Sequence, residues 1–262
     1  MLDIQEIEQY YPENLRIFKR FMLREYLQYK ILEIVFNGPF AEKLVFLGGT
    51  CLRLVYGNQR FSEDLDFDNF DLSPNEFDEI SQNIAIRMER MGYTTEIKQV
   101  AKGAYHCYIR FPRILFEQGL SGYKEEKILI QLDTEPQQFD FVPDEPIVNK
   151  FDVFTKIFST PLNLLMAQKC YAILNRPRNK GRDFYDLVFL MGKEIAPNMA
   201  YLKDKTGIRN APELKDRLLD KCSTLNMDEM TRDVAPFLFS PKDEKKVRFF
   251  VAYLENYTFS HE

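Results

Sequence analysis

The sequence predicts an α+β protein: a mixed sheet with helices in the front half, followed by a half that is helical almost throughout. Three observations carry this. Short β-rich apolar runs are confined to the first part, where KLVFLGG, TTEIKQV, AYHCYIRF and KILIQLDT each read as a strand. Helical spacing dominates beyond VNKFDVFTKIFSTP. No internal repeat, low-complexity tract or Gly/Ser linker interrupts the chain, so this change of texture is the candidate boundary, placed between domains of residues 1–155 and 156–262.

Taken in order, Ile17 to Phe36 (IFKRFMLREYLQYKILEIVF) carries apolar residues at helix-compatible spacing, and the NGP that follows stops it. KLVFLGG is a strand halted by Gly48 and Gly49, and TCLRLVYG resumes with helical spacing at Leu52 and Val55. In DLDFD, Leu65 and Phe67 alternate with Asp64, Asp66 and Asp68, which predicts a strand with one apolar and one acidic face. Like charges so placed near a core need protons, basic partners or a cation. After LSPNEF a helix begins, with Ser73 as its cap and Pro74 in its first turn. In KILIQLDT, Ile128, Ile130 and Leu132 share one face while Leu129, Gln131 and Asp133 share the other.

The back half opens with TPLNLLMAQKCYAILNR, where Thr160 and Pro161 make a helix start. Leu162, Leu165, Lys169, Ala172, Ile173 and Arg176 fall on one stripe, so two cations interrupt the face that should be buried. NRPRNKGRDFYDL concentrates Arg176, Arg178, Lys180 and Arg182 around a loop marked by Pro177 and Gly181. APELKDRLLDKC and DEKKVRFFVAYLENYTF read as amphipathic helices that pack on this half or serve a protein interface.

Composition excludes several classes. A net charge of −5 argues against indiscriminate binding to nucleic acid or anionic membrane, so a polyanion must be met by a local basic patch. Cys51, Cys107, Cys170 and Cys222 form no CxxC pair, which predicts reduced thiols in a cytoplasmic protein. The opening MLDIQEIEQYYPEN lacks the features of a signal peptide, and no apolar run reaches membrane-spanning length. His106 and His261 show no metal-ligand spacing, and Tyr105, Tyr108 and Phe111 read as core residues.

Strand, GG[ST], helix and SxDLDF in this order resemble the nucleotidyltransferase superfamily with the DNA polymerase β-like fold. The fuller string GGTCLRLVYGNQRFSEDLDFD resembles its abortive-infection toxin branch, AbiEii-like or MenT-like, the toxin half of bacterial toxin–antitoxin pairs. The resemblance extends to the back half, where that branch carries a lysine on a helix and then R-D-x-x-D, matched here by Lys169 and by Arg182, Asp183 and Asp186. It implies an NTP donor, Mg²⁺ as cofactor, an RNA acceptor such as the tRNA 3′ end, arrest of translation, and a cognate antitoxin as partner. The same donor site would also serve NMP transfer to a protein hydroxyl, or a non-catalytic nucleotide-binding regulatory module.

The resemblance, together with the chemistry, implies a role for each candidate. Asp64 and Asp66, two apart on a strand, point to one side and share the metal; a charged edge strand is the plain alternative. The third carboxylate of the superfamily site falls on Asp133, which would otherwise be a strand-end turn former. Asp68 has the right parity and is read as solvated or supporting. Gly48 and Gly49 let backbone N–H groups approach the phosphates, and Thr50 adds its hydroxyl. Ser62, two residues before Asp64 and expected on the same strand face, joins the nucleotide-binding candidates; a phosphate on it would compete with the NTP. Lys169 faces the triphosphate or snorkels to the surface. Arg182 and Asp183 are assigned to the nucleotide, although Asp183 also suits a helix cap. Asp186 is assigned to catalysis through Lys169 or the nucleotide, although its spacing from Arg182 also allows an ordinary ion pair. Arg176, Arg178 and Lys180 are assigned to RNA, with a solvated loop as the alternative.

Overall fold

The computed structural model describes residues 2–102 and 104–259, which form two compact units. Met1–Val55 with Phe61–Ser159 make the first; Tyr56–Arg60 with Thr160–Glu262 make the second.

In the first unit, α1 (Ile4–Glu8) precedes α2 (Lys19–Phe36), which ends at Asn37 as the NGP sequence requires. Then come β1 (Leu44–Leu47), α3 (Gly48–Leu54), β2 (Leu65–Asn69) and α4 (Pro74–Arg90). The expected cap of α4 is a capping box: Ser73 accepts from the Glu76 N–H while the Glu76 side chain accepts from the Ser73 N–H. β3 (Glu96–Lys102), β4 (Ala104–Pro112), the short α5 (Ile114–Glu117) and β5 (Lys127–Thr134) follow. The sheet runs β1-β2-β5-β4-β3, with β2 and β5 parallel and every other neighbouring pair antiparallel. One face is apolar: Ile128, Ile130 and Leu132 of β5 and Cys107, Ile109 and Phe111 of β4 are buried. The alternate residues of β5, Gln131 and Asp133, lie half-buried on the other face. A two-stranded sheet of β6 (Ile147–Lys150) and β7 (Val153–Lys156) completes the unit, where the sequence showed only a change of texture. Phe151 between them has φ +58°, so the hairpin turns through a left-handed residue.

The second unit holds α6 (Leu162–Asn175), α7 (Gly181–Met191), α8 (Met199–Thr206), α9 (Ala211–Ser223), α10 (Met227–Val234), α11 (Lys245–Arg248) and α12 (Phe250–Asn256). The last expected helix is therefore two, broken at Phe249. The expected helix start is where α6 begins, with Pro161 at the N-cap and no side-chain cap bond. α6 is buried on more than one stripe, with Leu164, Leu165, Met166, Ala167, Lys169, Cys170 and Ile173 all in the interior. The four cysteines are buried and form no disulfide. Among the described residues, no helix is long and apolar enough to cross a membrane.

Candidate active site

The centre of the first unit's sheet carries a row of polar side chains. Asp66 of β2 is the register partner of Asp133 on β5, and Asp133 is the register partner of His106 on β4. Neighbouring strands lie about 4.8 Å apart, so these three side chains stand abreast on one face. His106 Nδ1 lies 2.7 Å from Asp133 Oδ1, and Gln131 Nε2 donates to both Asp133 oxygens at 2.9 and 2.8 Å. Asp133 lies within β5, one residue before its end, and the histidine to which the sequence assigned no function is its partner.

Asp64 lies one residue ahead of β2, and Ser62 is further outside it; the strand begins at Leu65, so strand parity does not place Ser62. The carbonyls of residues 62–64 are held by side chains. Gln28 Nε2 donates to Ser62 O at 3.2 Å and to Glu63 O at 2.8 Å, and the Thr50 hydroxyl donates to Asp64 O. The hydroxyl expected at the phosphates is thus directed to the Asp64 backbone. Asp68 is buried, not solvated: its Oδ1 accepts from the backbone N–H groups of Asn69 and Gln137, both at 2.8 Å, and so fixes the end of β2.

The glycine turn meets this row directly. Gly48 opens α3 with φ +80°, and a Cβ there would lie 2.5 Å from Asp66 Oδ2. Only glycine satisfies both the backbone and the carboxylate. Behind the turn, Arg53 in the last turn of α3 pairs with Glu25 of α2 at 2.8 Å, and Tyr29 donates to Leu54 O at 3.4 Å. Glu25 also accepts from Lys150 at 2.7 Å and Tyr11 at 2.8 Å. Burial pushes its carboxyl upward, but Arg53 and then Lys150 outweigh burial and hold it below the usual range.

In the second unit, Lys169 is buried and ion-paired rather than snorkelling. Its Nζ lies 2.9 Å from Asp183 Oδ1 and 2.8 Å from Asp186 Oδ2. Asp186, 0 % exposed, receives four donors: Arg60 Nε and Asn58 Nδ2 on Oδ1, Arg60 Nη2 and Lys169 on Oδ2. Arg60, from a segment distant in sequence, is thus a bidentate partner of Asp186. Asp183 stands three residues into α7 and does not cap it; Lys180 is the N-cap, and Asp183 accepts from Lys169 and, at 2.7 Å, from Arg176. Burial lowers the basicity of Lys169, yet Asp186 and then Asp183 reverse this and raise its pKa. Burial raises Asp186, and Arg60 and then Lys169 bring it below the ordinary carboxylate value. Three cations (Arg60, Lys169, Arg176) against two carboxylates leave this cluster net positive.

The expected loop tip is shorter than the sequence implied. Gly181 belongs to α7, where a Cβ would lie 1.8 Å from the Met230 carbonyl oxygen of α10, so it is a close-packing position. Arg182 is half-buried with its guanidinium 4.7 Å from the Phe237 ring centre. Arg178 is exposed in the connection and Lys180 half-buried at its end. His261 lies outside the described residues.

Arg60, Asn58, Gln28 and His106 are the polar partners that the sequence reading missed. Arg60 sits inside the motif stretch NQRFSEDLDFD, but its partner is 126 residues away, and only the fold brings them together. The Gln131–Asp133 alternation was a visible signal; its strand neighbour His106 was not.

The donor set suits a hard divalent cation. Asp64, Asp66 and Asp133 offer carboxylate oxygens only, and Asp66 and Asp133 face each other across parallel strands. Among the described residues no group of three His, Cys, Asp or Glu side chains could hold a metal ion by itself. Magnesium fits that arrangement, because it retains waters and usually takes one or two carboxylates plus substrate phosphate oxygens.

Comparison with known proteins gives a consistent result. The family model for the nucleotidyl transferase AbiEii toxin of type IV toxin–antitoxin systems matches residues 30–252. The crystal structure of JHP933 from Helicobacter pylori is similar at a TM-score of 0.54 with 18% sequence identity, covering 90% of this chain and 91% of that one. A candidate nucleotidyltransferase from H. pylori is similar at a TM-score of 0.53 with 19% identity, covering 90% of this chain and 94% of that one. At such identities these two similarities establish the fold. No curated protein matches the chain in sequence.

Proposed function

The chain belongs to the AbiEii nucleotidyltransferase toxin family of type IV toxin–antitoxin systems, and on that premise we propose that it transfers NMP from an NTP to an RNA hydroxyl, that of a tRNA 3′ end. The acceptor oxygen forms a bond to the α-phosphorus, the bond from that phosphorus to the bridging oxygen breaks, pyrophosphate leaves, and the hydroxyl proton passes to solvent. Blocked tRNA ends arrest translation in the cytoplasm, and a cognate antitoxin relieves the arrest.

One observation carries this reading: Asp66 and Asp133 stand abreast on parallel strands, with Gly48 backed against the Asp66 carboxylate. Asp66 and Asp133, with Asp64 beside them, would hold Mg²⁺ together with the substrate phosphates, and the ion would neutralise phosphate charge and lower the cost of forming the nucleophile. Gly48 and Gly49 let the phosphates approach the turn that opens α3, and Thr50 acts through the Asp64 backbone. Ser62 stays with the nucleotide-binding set through this same segment. In the second unit, Lys169 supplies a cation for the nucleotide, with Asp183 and Arg182 assigned beside it. Asp186 is a positioning residue, because its oxygens already receive four donors. Arg176, Arg178 and Lys180 serve the RNA backbone.

The test is incubation of the protein with α-labelled NTPs, Mg²⁺ and total RNA. The expected result is label on RNA. Label on protein instead would establish transfer to a protein hydroxyl, and binding of NTP without label on either would make the protein a regulatory module.

A further inference from the structure

The carboxylate nearest the start of β2 stands on a segment that the sheet does not hold. Residues 61–64 lie outside the strand, and β1–β2 pairing extends only over Asp66 to Asn69, β2–β5 pairing over Leu65 to Phe67. Asp64 therefore lacks the ladder bonds that fix Asp66. In their place are side-chain donors: Gln28 Nε2 to Ser62 O and Glu63 O, and the Thr50 hydroxyl to Asp64 O. Arg24, one turn before Gln28 on α2, adds an ion pair to the Glu63 side chain at 2.8 Å.

Gln28 is built for this task. It is 1% exposed, so its amide has no water to turn to, and a buried donor that meets two carbonyls strongly prefers one orientation. Its helix is itself anchored to the glycine-turn helix. Glu25 pairs with Arg53, and Tyr29 donates to Leu54 O. Arg24, Glu25, Gln28 and Tyr29 fall at i, i+1, i+4 and i+5, one face of α2, so one helix face grips both α3 and the segment that carries Asp64.

We infer that Gln28 is a positioning residue of the transferase centre: it sets the place of Asp64 relative to Asp66, and with it the affinity for the divalent ion. The inference rests on the proposed assignment of Asp64 and Asp66 to the metal. Partners that orient metal-binding groups typically alter metal affinity by about 10- to 100-fold when removed.

The experiment compares wild type, Gln28→Met and Asp66→Asn. Methionine keeps the length and burial of glutamine and removes the donor. Mn²⁺ binding is measured by electron paramagnetic resonance in the presence of an NTP analogue with a non-cleavable α,β-bridge, and transfer is measured across a Mg²⁺ titration. For Gln28→Met the expected result is Mn²⁺ affinity weakened about 10-fold. Transfer falls at low Mg²⁺ and recovers toward wild type at high Mg²⁺, with the KM for NTP at saturating Mg²⁺ within about 3-fold of wild type. Unchanged Mn²⁺ affinity, or a rate loss that Mg²⁺ does not restore, would overturn the inference and leave Gln28 a packing residue. Should Gln28→Met not fold, Arg24→Met decides by the same two measurements, with a smaller shift in the same direction expected and no shift overturning it. Asp66→Asn separates the two levels: full transfer by this variant would overturn the metal assignment, whereas an inactive Asp66→Asn beside an unaltered Gln28→Met overturns only the role of Gln28.

Discussion

A methyl group at position 48 has nowhere to go. Gly48 combines φ +80° with an Asp66 oxygen 2.5 Å from where a Cβ would stand. Gly48→Ala is therefore expected to cost about 1–3 kcal/mol in backbone strain and to displace Asp66, so that transfer falls by more than the stability loss explains. Thermal unfolding and transfer measured on the same preparation check this; a normally active alanine variant would separate the glycine from the chemistry. At Asp186 the effect runs through charge. Asp186→Asn leaves Arg60 and Lys169 buried without their shared anion, and breaking a buried pair this way costs about 3–5 kcal/mol, read as a lower urea midpoint. The pH sign follows from the directions of the shifts. Asp186 is depressed in the folded protein, so its contribution is complete above the ordinary carboxylate pKa and is lost as pH falls through the lower folded value. Lys169 is raised, so its contribution is complete below the ordinary lysine pKa and is lost as pH rises through the higher folded value. Stability from this cluster should thus be flat across neutral pH and fall at both extremes, and Asp186→Asn should weaken the acid limb.

Helices and strands were legible where their signals were local. Ser73, Pro74 and Glu76 carry a complete capping box in consecutive sequence, and the alternation in KILIQLDT appears in the structure as buried Ile128, Ile130 and Leu132. The β6–β7 hairpin was not legible, because it turns at Phe151, a bulky residue at positive φ where a turn signal would be Gly or Asn. Gly181 shows the converse: it read as loop punctuation and is instead the point where α7 meets the α10 backbone. Gly181→Ala should consequently destabilise the second unit, since a Cβ 1.8 Å from the Met230 oxygen forces the helices apart; an unchanged melting temperature would contradict that packing. The connection between α6 and α7 gives a prediction of its own. Neutralising Arg178 and Lys180 together should lower RNA affinity and flatten its salt dependence by about 0.7 to 0.9 in log–log slope per lost phosphate contact. Arg182 is left out of this test, because its guanidinium lies against Phe237. An unchanged slope would make the connection a solvated loop.

For the molecule as a whole, motif order in the sequence was more informative than composition. A chain of net charge −5 gives no hint of a polyanion substrate. Yet the glycine pair, the aspartates of DLDFD, Lys169 and the R-D-x-x-D element, taken in order, carried the resemblance to a family whose model does match residues 30–252. Partners from distant segments were not legible: Arg60 with Asp186, Gln28 with the Ser62 and Glu63 carbonyls, and His106 with Asp133 are joined only by the fold. The central claim is that the carboxylates of β2 and β5 form the centre of a nucleotidyl transfer reaction. Its most direct test is transfer of label from α-labelled NTP to total RNA, in Mg²⁺, by wild type and Asp66→Asn proteins of matched melting temperature. The account predicts label on RNA with wild type and a loss of at least about 100-fold with Asp66→Asn, as expected when electrostatic stabilisation worth several kcal/mol is removed; a folded Asp66→Asn protein that labels RNA at the wild-type rate would contradict it.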